Sequence, residues 1–173
     1  MPVPSDDFIQ SQGVIWVAHI MRRVASRIVD ASDEVLPGYG VIVPSSMVSV
    51  VHLLHVRGPQ TVMAIAAETV QSHPLIHKYV RHLKTLGLVE TAGDSADRRR
   101  TVVTLTDAGQ SQARMLVEVR RYFVPALDAL MQEADAGIFE PLWRIEAALQ
   151  SQGMAERIRA VQRACPAEGE QAR

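Results

Sequence analysis

Between Phe8 and Asp30 the apolar residues Val14, Val17, Met21, Val24 and Ile28 recur at steps of three and four, with Arg22, Arg23 and Arg27 between them. That period predicts one long amphipathic helix. Pro37, Gly38 and Gly40 break regular structure. Pro44-Ser45-Ser46 then signals the start of a second helix, from about Ser46 to Arg57, with Met47, Val50, Val51 and Leu54 on its apolar side. Gly58-Pro59 ends it, and Thr61 caps a short third helix built on Val62, Ile65 and Ala66. Ser72 caps a fourth, His73 to Leu86, with Ile76, Tyr79, Val80, Leu83 and Leu86 on one stripe and Leu75, His77, Lys78, Arg81 and His82 on the other. After Gly87 the period changes. Leu88 to Thr91 and Thr101 to Leu105 read as two short strands, and the residues from Ala92 to Arg100 form a polar hairpin tip between them. Thr106 caps a fifth helix that runs to about Met131, in which Pro125 predicts a kink. A sixth runs from about Ile138 to Gln150, with continuation to Gln162 left open. Residues 164–173 read as a flexible polar tail.

The expected fold is mainly α, an α+β winged helix-turn-helix of about six helices with a two- to three-stranded wing. At 173 residues the chain is one domain. Residues 46–105 form the helix-turn-helix lobe, and residues 8–35 and 106–163 form a helical region drawn from both ends of the chain. Composition adds that only 5% of residues are aromatic, so the core is built from aliphatic side chains. The single cysteine, Cys165, cannot form an internal disulfide. No stretch is long and apolar enough for a membrane span, and the first seven residues lack the basic-then-apolar order of a secretion signal. A cytoplasmic protein with no membrane contact is expected.

A net charge of −1 gives no global attraction to nucleic acid. The distribution does. From Lys78 to Arg100 six Lys or Arg stand against three acids, so the rest of the chain is acidic and the excess positive charge falls on one helix and the hairpin after it. Helix, turn, helix and a basic two-stranded wing is an arrangement that reads duplex DNA. The expected contacts are Ser72, His73, Pro74, Leu75, His77, Lys78, Arg81 and His82 on the fourth helix, and Asp97, Arg98, Arg99 and Arg100 on the wing. Lys78 can reach a guanine edge or a phosphate and Leu75 a thymine methyl. Wing arginines suit the negative potential of a narrow minor groove, with Asp97 orienting a guanidinium.

Gly87-Leu88-Val89-Glu90, then Asp94-Ser95-Ala96-Asp97-Arg98-Arg99, then Leu105-Thr106-Asp107-Ala108-Gly109 resembles the signature of the MarR family of bacterial transcriptional regulators. In detail the resemblance covers about Thr61 to Gly109. It implies a winged helix-turn-helix homodimer whose first, fifth and sixth helices form the interface. It also implies repression, or less often activation, relieved by a small ligand or an oxidant. On the helices that line the family's effector pocket stand Trp16, His19, Arg23, Met47, His52 and His55; the reading that Trp16 and Met47 are plain core or interface residues stays open beside it. Where relatives place small hydroxyl residues at the start of the recognition helix, this chain has His73-Pro74-Leu75. Its thiol stands far from the amino-terminal position used by peroxide-sensing members, so a ligand, aromatic or otherwise amphipathic, is the expected effector rather than a redox change.

The enzyme class finds no support. The sequence shows no dyad for nucleophilic catalysis and no phosphate-cradling glycine loop, and no cofactor is expected. His52 with His55 and His73 with His77 have metal-like spacing, but no cysteine or carboxylate cluster completes a set, and no metal site is assigned. The partners expected are double-stranded DNA, a second copy of the chain and a small effector. Two other readings remain: a winged-helix module for protein association, whose wing clamps an acidic partner, and a metal-responsive regulator of the same fold.

Overall fold

The computed structural model describes residues 7–93, 101–134 and 137–164. In chain order it contains α1 (Phe8–Ser11), α2 (Val17–Val35), α3 (Val48–Arg57), β1 (Gln60–Thr61), α4 (Val62–Thr69), α5 (His73–Thr85), β2 (Val89–Gly93), β3 (Thr101–Leu105), α6 (Asp107–Glu133), α7 (Phe139–Ser151) and α8 (Met154–Ala164). Single 3-10 turns stand at Val14–Trp16, Leu36–Tyr39 and Ser45–Met47. The protein is mainly helical with one small antiparallel sheet. Its chain divides into two compact units at Val124/Pro125, inside α6.

Eight helices among the described residues replace the six expected, because two of the expected ones are broken. The first is interrupted at Gly13, whose φ of 76° leaves the helical region, so α1 and a 3-10 turn precede α2. Asp7 caps α1, accepting hydrogen bonds from the Ile9 and Gln10 amides. The last expected helix is cut where Gln152 turns extended, φ −143° and ψ 109°. The Arg157 guanidinium reaches back from α8 to donate to the carbonyl of Gln152 and to that of Ala148, which also accepts from the Gln152 amide. α6 continues through Pro125, which has no N–H to donate.

In the sheet β3 is the central strand. It pairs with β2 from Val89↔Leu105 to Gly93↔Thr101, and with the two-residue β1 through Gln60↔Val103 and Thr61↔Val102. The third strand is thus supplied by the connection between α3 and α4. Against the sheet pack the apolar sides of three short helices, through Val51 and Leu54 of α3, Ile65 of α4, and Ile76 and Leu83 of α5, all buried. Ala113, Leu116 and Val119 bring the first half of α6 into the same core.

The segment from Leu36 to Pro44 also belongs to this core, since Leu36, Val41 and Val43 are buried. Gln112 of α6 holds it. Its side-chain oxygen accepts from the Ile42 amide at 2.8 Å and its nitrogen donates to the Gly40 carbonyl at 3.0 Å, so one buried amide completes a backbone that has no strand partner.

Candidate nucleic-acid interface

α4 and α5 are joined by a turn at Val70–Ser72. Thr61 caps α4 by accepting from the Ala64 amide at 3.1 Å. At its other end Val70 takes a left-handed conformation, φ 51° and ψ 43°, and the Gln71 amide donates to the Ala66 carbonyl at 3.0 Å. Among the described residues Val70 is the one non-glycine with positive φ, a costly choice for a β-branched side chain.

α5 buries Ile76, Val80 and Leu83, spaced by four and three, on one side. The opposite arc is left to solvent and presents His77, Lys78, Arg81 and His82, all exposed, while the exposed Lys84 stands on the flank beside β2. The helix holds three His, two Lys and one Arg, and no acid. Ser72 sits at the N-cap position with extended backbone, φ −69° and ψ 145°, but its hydroxyl caps nothing. A capping oxygen pairs with the amide of the second or third helical residue, and Pro74 has removed the first of these.

The far end of α5 is fastened to the start of α6. Gly87, at φ 71°, turns the chain so that the Leu88 amide donates to the Leu83 carbonyl at 3.0 Å. The Thr106 hydroxyl donates to the Gly87 carbonyl at 2.7 Å and accepts from the Gly109 amide at 3.1 Å, while the Thr106 amide donates to the Leu88 carbonyl at 3.0 Å. Gly109 lies so close to that carbonyl that no larger residue fits. The Leu-Thr-x-x-Gly pattern is therefore a joint between two helices as well as a helix start. Lys84 adds a second tie, donating to the Thr91 hydroxyl of β2 at 3.0 Å. The sequence reading counted its charge but assigned it no position; its place three residues after Arg81 was the available signal.

The structure brings the recognition-helix candidates together on one side. Ser72, His73, Pro74, His77, Lys78, Arg81 and His82 are exposed, and Leu75 is half-buried at the edge of the arc. Asp97, Arg98, Arg99 and Arg100 lie outside the described residues, between the ends of β2 and β3.

The six residues expected at an effector pocket are dispersed in role. Met47 is buried in the core. His55 Nδ1 hydrogen-bonds Gln110 Oε1 at 2.9 Å. Arg23 forms an ion pair with Asp7 at 2.7 Å, and its hydrogen bond, more than any other contact, holds the Asp7 carboxyl below its ordinary pKa. Trp16 and His19 meet edge to face with ring centroids 6.0 Å apart. His52 is half-buried on α3. A cavity of about 190 Å³ lies nearby, lined by Ser32 and Leu36, by Ser45 and Val48, and by Leu116, Val119, Arg120 and Phe123 of α6. None of the six lines it. No group of three or more His, Cys, Asp or Glu assembles among the described residues, and none of their helices is long and apolar enough to cross a membrane.

A basic helix laid over a three-helix core and followed by a two-stranded hairpin defines a winged helix-turn-helix protein. The sequence profile of the MarR family matches residues 44–100, which span α3, α4, α5 and β2. The match is confined to the helix-turn-helix lobe and the first strand of the hairpin, where the chain is similar to that family. Solved structures share the fold. A probable transcriptional regulator from Pseudomonas aeruginosa superposes with a TM-score of 0.60 at 25% identity, over 77% of this chain and 96% of that one. MepR of S. aureus, solved in complex with DNA, gives 0.65 at 17% identity over 77% and 97%. PcaV of Streptomyces coelicolor, solved with its natural ligand, gives 0.63 at 21% identity over 76% and 92%. None of the curated proteins compared with the chain matches it.

Proposed function

We propose that the protein is a DNA-binding transcriptional repressor that acts as a homodimer on a near-palindromic operator and is released by a small effector. The observation that carries this reading is the exposed, acid-free arc of α5, opposite a side that the core buries completely at Ile76 and Leu83. Such a helix can enter a major groove without bringing a negative charge against the phosphates. Ser72, whose hydroxyl caps nothing, and the amides of the first turn of α5 suit a phosphate. The wing arginines Arg98, Arg99 and Arg100 add minor-groove or backbone contacts, with Asp97 orienting them.

The homodimer rests on exposed apolar side chains in the helices at both ends of the chain: Ile20, Met21 and Val24 on α2, and Leu142, Trp143 and Ile145 on α7. Left uncovered they form patches that a protein of this size seldom shows to water. The effector belongs to the region where α2 and α3 meet α6. The cleft of about 190 Å³ between Leu36, Val48 and Leu116, whose rim carries Ser32, Ser45 and Arg120, offers an apolar floor with polar groups beside it to a small amphipathic molecule. Trp16, His19, Arg23, Met47, His52 and His55 do not line this cavity, so in this reading they would act on the effector only from outside it.

Titration of the purified protein on duplexes drawn from the DNA flanking its own gene tests the reading. Tight binding to one duplex, with a two-fold symmetric footprint whose half-sites lie about 10 base pairs apart, is expected. Equal, weak binding to every duplex rejects a sequence-specific regulator.

A further inference from the structure

The chain has six histidines, and three of them, His73, His77 and His82, lie within α5. All three are exposed, and they interleave with Lys78, Arg81 and Lys84 on a helix without an acid. At 3.6 residues per turn His73 and His77 fall toward one flank of the exposed arc and His82 on the other, so the three would border both sides of a groove-bound helix. We propose that DNA binding by this protein is proton-coupled, with His73, His77 and His82 taking up protons as α5 enters the groove, so that acidification tightens binding. The proposal rests on the DNA-binding reading given above.

The physical basis is the linkage between charge and phosphate field. An unperturbed imidazole titrates near pH 6.5, whereas lysine, arginine and the phosphodiester keep their charges throughout the range from 5.5 to 8. Permanent charges on α5 number three; full protonation doubles that. Placing the helix among phosphates favours the imidazolium over the neutral ring, so the complex holds more protons than the free protein and its affinity rises as pH falls. Each added charge that neutralises a phosphate steepens the log–log dependence of affinity on salt by about 0.9.

The neighbouring charges are few. Of the elements packed against α5, α4 contributes Glu68, which stands 3.9 Å from Arg57, and β2 contributes the exposed Glu90. Asp107 opens α6 near the joint at Gly87. The hairpin tip adds Asp94 and Asp97 against Arg98, Arg99 and Arg100 in sequence, outside the described residues. No acid of α5 itself competes with the DNA for the imidazolium charges.

The test is fluorescence anisotropy with the full chain and a labelled random-sequence duplex of 30 base pairs, at several salt concentrations, at pH 8.0 and pH 5.5. The wild type is expected to bind at least tenfold more tightly at pH 5.5, with a salt dependence steeper by about 2 to 3. The variant carrying His73→Gln, His77→Gln and His82→Gln, verified as folded by circular dichroism at both pH values, is expected to bind with nearly the same affinity and slope at each. Binding that does not change with pH in the wild type overturns the coupling and leaves the DNA-binding reading in place. A variant that keeps the full pH response also overturns it, since the protons then enter at His19, His52, His55 or elsewhere. No binding at either pH removes both readings together.

Discussion

Gly109 is the position where one added carbon does most damage. A methyl group there runs into the Leu88 carbonyl oxygen far inside van der Waals contact, and stands 3.0 Å from the Leu88 carbonyl carbon and 3.1 Å from Cδ2 of Leu105. Neither the carbonyl nor the helix can yield alone, because the Thr106 amide donates to that same oxygen and the Thr106 hydroxyl bridges Gly87 and Gly109. Gly109→Ala must therefore push the start of α6 away from Leu88. Overpacking of this kind costs about 1 to 3 kcal/mol, and losing one or two of the Thr106 hydrogen bonds adds about 1 kcal/mol each. A total near 4 kcal/mol corresponds to a fall in Tm of roughly 8 to 16 °C for a chain of this length. Gly38→Ala serves as the control, since a Cβ at that position meets nothing within 4 Å. Thermal unfolding followed by circular dichroism compares the two. A Gly109→Ala protein melting within about 2 °C of the Gly38→Ala protein, on the scale of roughly 2 to 4 °C per kcal/mol, refutes the joint as described.

Val70→Gly removes a β-branched side chain from a left-handed position, relieving about 1 to 2 kcal/mol against a smaller entropic cost. Because Val70 is 67% exposed and buries little, Tm is expected to rise by a few degrees, and a fall would show that the turn needs the valine. Lys78→Ala is expected to weaken operator binding by about 1 to 3 kcal/mol more than random-duplex binding if it reaches a base edge. Arg98→Ala should instead weaken both alike and lower the salt slope by about 0.9; parallel titrations at two salt concentrations show which residue does which. Arg23 holds Asp7 below its ordinary pKa, so this contact favours the fold above the ordinary carboxylate range and is lost as pH falls through the lowered value. The α1 amide resonances are thus expected to stay fixed from pH 8 to 5 and to shift only in stronger acid, while in Asp7→Asn they should show no acid transition.

The periodic parts of the chain were legible in the sequence for a plain reason. α5 buries one stripe against the core, and burial of a stripe writes itself as the spacing of Ile76, Val80 and Leu83; in α6 the pattern led to Ala113 and Leu116 but also to Val117 and Tyr122, which are exposed, while the buried Val119 escaped it. Caps at Thr61 and Thr106 were legible because the hydroxyl acts within three residues of itself. What escaped depends on partners distant in sequence. β1 is two polar residues that become a strand only because β3 lies alongside. The role of Gln112 is set by Gly40 and Ile42, some 70 residues away. A single glycine in an otherwise unbroken apolar period gave no warning that the first helix would stop at Gly13, and Ser72 looked like a cap although Pro74 removes one of the two amides it could pair with. The recognition-helix residues share an arc as expected, whereas the proposed effector residues had no such common geometry to reveal in one dimension.

The joint at Thr106 also has a mechanical side. α5 is 13 residues long, about 20 Å at 1.5 Å per residue; the joint to α6 holds its last turn, and Ile76, Val80 and Leu83 hold its buried side along the core. Held at the joint alone, a tilt of ~5° would swing the His73 end through roughly 1.7 Å, more than the whole tolerance of a hydrogen bond. Ile76, fully buried three residues from that end, holds α5 against such a swing, so the joint and this one side chain together fix the direction in which the exposed arc points.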